Sequence, residues 1–246
     1  MNAPVAADGR GQLRALFRRE LRSYFLSPIS YLVWVVFLIL AGWLFVVSLH
    51  NGGRATLDGA FQTMATLLVF VTPLLTMRLL ADEHRLGTLE VLLTDPIREG
   101  TIVLAKYFAV FVFFLLMLAP TLAFPVIVHS IGEPDLGPIA GGYVGLVLLG
   151  ALFLAIGLFC SAVTMNTIGA AALSFTILLL LWLLGRAADG MAPGWGRDAL
   201  EYLSAIKRYE PLRRGIVDSR SIIWSLTLVV WMLTVATYAL ALRRRR

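Results

Sequence analysis

Two serines, Ser161 and Ser174, and two histidines, His50 and His129, stand in or beside long apolar runs, where a hydroxyl and an imidazole could act as nucleophile and base. Their spacing argues against that use. No histidine lies near either serine in sequence, no oxyanion loop is evident, and both histidines fall near the ends of their runs. Metal chemistry finds no H-E-x-x-H and no paired Cys or His at ligand spacing, and the single cysteine, Cys160, sits in an apolar run as a packing residue. The lysines exclude a P-loop: Lys106 follows Ala105 and Lys207 follows Ile206, so neither completes Gly-Lys-Ser/Thr. Nor is an ionisable side chain evident in the middle of an apolar run, as the ion site of an ion-coupled carrier requires. Energy for any work must therefore come from another polypeptide.

Charge gathers instead in "ADEHRLGTLEVLLTDPIREG", residues 81 to 100, with Asp82, Glu83, Arg85, Glu90, Asp95, Arg98 and Glu99 close together. Gly87-Thr88 offers a flexible turn and an N-cap, and a short helix can follow with Leu89, Leu92 and Leu93 on one face. Asp95-Pro96 reads as the N-cap and first residue of another helix that continues through Lys106 and Tyr107. A short apolar-faced helix between charged turns is a knob suited to a partner's groove, the charges fixing its register. An ordinary polar loop is the plain alternative.

The elements that hold this segment follow from composition. A mean hydropathy of +0.83 and only 15% charged residues place the 246-residue chain among all-α polytopic membrane proteins, as one membrane domain over residues 1–246. Six spans are expected at 29–50, 58–80, 104–131, 138–163, 167–186 and 221–242. Residues 136 to 185 contain no Asp, Glu, Lys or Arg; as one helix they would reach about 75 Å, so they must fold back, with the turn at 164–167. The basic excess, net charge +6, flanks apolar runs and suits anionic headgroups, not nucleic acid. The uncharged run 31–49 is too long for a secretory h-region and is expected to be a retained first span.

Before that span, Leu13, Leu16, Phe17, Leu21, Tyr24 and Phe25 recur at helical spacing with Arg14, Arg18 and Arg22 opposite. Residues 10–27 are thus expected to form an amphipathic membrane-interface helix ending at Ser27-Pro28. Glu20 falls near the apolar stripe and must pair, with a local arginine or a partner chain. Pro73, Pro120 and Pro125 interrupt spans two and three as kinks or as gating points. Residues 187–220 should form external helices on the outer leaflet: Asp198 could cap one carrying Leu200, Leu203 and Ile206, Pro211 breaks it, and Leu212 and Ile216 begin another. A solvated loop with some helicity is the alternative there. With both termini cytosolic, 13 of the 21 basic residues lie inside, although seven fall in the last external stretch.

"MRLLADEHRLGTLEVLLTDPI" resembles the E-x-x-x-G-T-x-E-x-L-L-x-x-P signature after the second span of ABC transporter permeases of the type-two exporter (ABC-2) family. It is most similar to the branch of gliding-motility and nitrous-oxide-reductase maturation permeases. "RRELRSYFLSPISYLV" and "EYLSAIKRYEPLRRGIVDSRSIIW" are similar to that branch's interface helix and outer helices. The resemblance implies a permease subunit of a bacterial cytoplasmic (inner) membrane, used for export or, in the alternative, for driving an extracytoplasmic partner by mechanotransmission. It implies a cytosolic ABC ATPase subunit that holds ATP and Mg, a second permease subunit in a homodimer or heterodimer, and no cofactor on this chain. Coupling then falls to residues 82–99, with Glu83, Gly87, Thr88, Glu90, Leu92 and Leu93 in the motif and Arg85, Asp95 and Pro96 beside them.

Overall fold

Each uncharged run becomes a helix, because in lipid a backbone N–H or C=O can be satisfied only within its own segment. The computed structural model describes residues 9–52, 56–82, 98–192, 194–216 and 218–244. Helix α1 is Gly9–Leu26 and α2 is Pro28–Gly52. Helix α3, Asp58–Thr76, precedes a turn at 77–80. Helix α4, Glu99–Leu118, passes through a 3₁₀ turn at Ala119–Leu122 into α5, Ala123–Ile131. Helices α6, Leu136–Val163, and α7, Thr167–Asp189, form an antiparallel pair. Two short helices, α8 (Trp195–Leu203) and α9 (Ala205–Arg213), lead to α10, Ser219–Arg244. Six of these units, α4 and α5 counting as one, are long and apolar enough to cross a membrane. The chain is an all-helical integral membrane protein with several passes.

Helix α6 is the spine, packed against α3, α4, α7, α9 and α10. Apolar burial gains little where the solvent is itself a hydrocarbon, so such a hub depends on close approach through small residues. The Phe61 ring of α3 fills the space a Cβ would need at Gly142, and the Phe114 ring of α4 does the same at Gly150. The expected fold-back is at 164–167: α6 ends at Val163, and the Asn166 side chain caps α7 by accepting from the Ile168 N–H at 3.0 Å.

Two expectations need correction. The second span is regular only to Thr76, not to 80. Thr72 and Thr76 hydroxyls bond carbonyls four residues back beside Pro73, which has no N–H to give, and the chain leaves the helix there. In the external stretch the break comes at Ser204, whose side chain accepts from the Lys207 N–H, and Asp198 lies within the first turn of α8, not at its cap. Pro211 stays inside α9, together with Leu212. That helix ends in a Schellman turn, with Gly215 at φ +81°, its N–H on Leu212 O and the Ile216 N–H on Pro211 O.

The third span does break at its prolines. Pro120 lies in the 3₁₀ turn, where the Tyr143 hydroxyl from α6 donates to Thr121 O at 2.6 Å, and Pro125 sits in the first turn of α5. Phe45 of α2 stacks on Phe124 with ring centroids 4.3 Å apart, which holds the far half of the span in line.

Candidate functional site

The end of the bundle that carries α1, here the α1 face, gathers buried polar groups around both ends of the segment 82–99. At its entry, the Ser161 hydroxyl of α6 accepts from the backbone N–H groups of Leu80 and Ala81, each at 3.0 Å, and donates to Met77 O at 3.3 Å. Leu80, Ala81 and Ser161 are fully buried. One residue further, the Asp82 carboxylate accepts from the Thr167 hydroxyl at 2.6 Å and lies 3.8 Å from Arg78. The second span is thus fixed to both helices of the α6–α7 pair as it leaves the membrane-length helix.

At the exit, Lys106 in the second turn of α4 meets Glu20 of α1 at 3.1 Å, their side chains 3% and 13% exposed. A buried pair of this kind is costly to break, because one partner alone would be an uncompensated charge in a low-dielectric site. Tyr24 of α1 reinforces the contact: its hydroxyl donates to Leu75 O at 2.8 Å and its ring stacks on Phe113 of α4 at 5.2 Å. Burial, and next the Glu20 carboxylate, push the Tyr24 phenol above its ordinary value, so it remains a donor.

The expected stripe of α1 faces the bundle. Leu16 is buried, Leu13, Phe17, Glu20, Leu21, Tyr24 and Phe25 are half-buried, and Arg14, Arg18 and Arg22 are exposed. Among the described residues, Glu20 pairs with Lys106, eighty-six positions away. Of the expected coupling residues, Glu83, Arg85, Gly87, Thr88, Glu90, Leu92, Leu93, Asp95 and Pro96 lie outside the described residues, as does the expected short helix through 89–93. Ser161, Thr167 and Lys106 have site roles that the sequence did not reveal.

At the opposite end, α9 lies along α6 instead of floating over it. Tyr209 stacks against Gly145, where a Cβ would come within 2.6 Å of its ring, and Leu212 abuts Gly141. Ser204, Ala205, Tyr209 and Leu212 are buried. Its charges are tied inward: Arg213 to Asp58, Lys207 to Asp189 and Glu210, and Arg208 over the Tyr202 and Trp224 rings at 4.6 and 5.8 Å. The hydrogen bond to Asp189 holds Lys207 above the usual lysine value.

The described residues thus form a multi-pass helical bundle with buried polar contacts at both ends of residues 82–99 on one face and folded helices on the other. A family model described as ABC-2 family transporter protein matches residues 44–245, and the chain belongs to that family. It is accordingly a membrane permease of an ABC transporter. No curated protein matches the chain.

Proposed function

We propose that the chain couples ATP hydrolysis by a separate cytosolic ATPase subunit to export across a bacterial cytoplasmic membrane. The α1 face is cytosolic in this reading, both termini lie there, and two permease subunits, identical or different, form the path. ATP and Mg belong to the ATPase. Glu83, Gly87, Thr88, Glu90, Leu92 and Leu93 contact it, Arg85, Asp95 and Pro96 set the segment's ends, and α1 lies at the membrane boundary.

The observation that carries this reading is the double rooting of residues 82–99. The entry is held by Ser161 and Thr167, and the exit helix is held by the Glu20–Lys106 pair. A push on the segment would move α1, α4, α6 and α7 together, while the end of span two near Pro73 and the break within span three at Pro120 and Pro125 supply points of bending. The test is co-reconstitution with the ATPase. Glu90→Lys or Gly87→Pro should leave membrane insertion intact and abolish stimulation of ATP hydrolysis; unchanged stimulation counts against the assignment.

One observation favours a second reading, mechanotransmission to an extracytoplasmic partner. The same helix, α6, holds the entry through Ser161 near one end and seats α9 through Gly141 and Gly145 near the other. Movement of the segment would then be delivered to α8 and α9. Copurification of an external protein, with no ATP-dependent uptake or release of solute, distinguishes this reading from export.

A further inference from the structure

We propose that the Tyr143 hydroxyl of α6 is a latch on a hinge inside the third span: its bond to the Thr121 carbonyl holds α5 in place, and release of that bond frees α5 to swing relative to α4. The hinge begins in the sequence. In a continuous helix the carbonyls of Leu116 and Thr121 would take the N–H groups of residues 120 and 125, and both are prolines with none to give. The chain passes instead through the 3₁₀ turn at Ala119–Leu122, where the Ala123 N–H is shared between Pro120 O and Thr121 O. Tyr143, twenty-two positions later, supplies the donor that Pro125 lacks, at 2.6 Å. Thr121 is fully buried, where a carbonyl needs such a donor.

That bond would be a fixed strut if α5 were packed as α4 is. Helix α4 buries residues from Ile102 to Leu118, whereas α5 buries Val128 and leaves Val126 and Ile131 70% and 65% exposed. The Phe45–Phe124 stack lies in the first turn of α5, so it serves as a pivot beside the hinge and leaves the far end unclamped. Swinging such an arm exchanges one apolar cover for another, because acyl chains are as apolar as leucine. Its cost therefore falls on the polar contact that must break. Phe61 of α3 meets the Tyr143 ring edge-on at 5.1 Å and aims the hydroxyl at the break.

The latch makes Tyr143 a positioning residue for transport, since it sets where α5 stands at the end of the bundle opposite the α1 face. That use as a gate rests on the coupled transport proposed above, whereas the latch is a property of this chain alone.

Double electron–electron resonance on the full chain in lipid nanodiscs tests it, with nitroxides at the exposed Ser130 on α5 and Met191 just past α7 in a Cys160→Ala background. Tyr143→Phe keeps the ring and removes the oxygen. It should raise the population of a second distance relative to the first about two- to tenfold, the scale of one net hydrogen bond. Pro125→Ala gives Thr121 O an N–H of its own, so adding Tyr143→Phe to that variant should change the ratio by less than about twofold. With the ATPase co-reconstituted, a non-hydrolysable ATP analogue should shift the native chain in the same direction as Tyr143→Phe does. A distance distribution unchanged by Tyr143→Phe, even with a lowered unfolding temperature, would mark the bond as packing only and overturn the latch, as would an equal shift in the two backgrounds. A shift with Tyr143→Phe but none with nucleotide would uphold the latch and count against the coupling.

Discussion

Ser161 shows how one hydroxyl can hold a joint in a membrane protein. It accepts the two backbone N–H groups of Leu80 and Ala81, just past the turn that ends the second span, where buried donors need a partner. Ser161→Ala should cost about 1–3 kcal/mol for each stranded donor, read as a lower unfolding temperature in micelles. The Glu20–Lys106 pair should behave differently. Glu20→Gln removes the carboxylate that faces a buried cation and should cost about 3–5 kcal/mol, whereas Glu20→Gln combined with Lys106→Met, which removes both charges, should recover part of that loss. A double variant less stable than the single one would mean that Lys106 is held by something other than Glu20. Neither partnership was legible in the sequence. Both join residues eighty or more positions apart, and local periodicity carries no information on which distant polar group will face an isolated one.

Element boundaries were far more legible. The stripe on α1 was visible because the 3.6-residue period marks the buried face whether its cover is lipid or protein; what it could not reveal was that α4 supplies the cover. The fold-back between α6 and α7 followed from length alone, since fifty uncharged residues exceed the hydrocarbon thickness. The α8–α9 region was misjudged because Pro211 looked like a breaker. A cap at Ser204 and a Schellman end at Gly215 define α9 more strongly than one proline, which removes a single N–H near the helix end. The glycines of α6 yield a prediction at this scale. Gly145→Leu should displace the Tyr209 ring and destabilise the bundle by about 1–3 kcal/mol or more, while Gly42→Ala on α2, with no atom within 4 Å of the new methyl, should cost nothing. Thermal unfolding of the two variants side by side tests whether it is the close approach that matters.

The whole molecule has its two charged assemblies at opposite ends of one spine, and its sidedness is open to a direct test. A reporter fused after Arg197 should give an extracytoplasmic signal, and a cytosolic signal would invert the scheme. Composition made the class of protein evident, whereas the packing of α9 against the spine depended on glycines whose partners lie some seventy positions later. That dependence has a consequence for biogenesis. Phe61 and Phe114 emerge from the ribosome well before Gly142 and Gly150, the recesses that receive them. The first three spans must therefore be inserted and wait, unlocked, until the fourth arrives. A chain that stalls before residue 136 would leave those rings without a seat, as a half-assembled intermediate exposed to membrane-bound quality-control proteases.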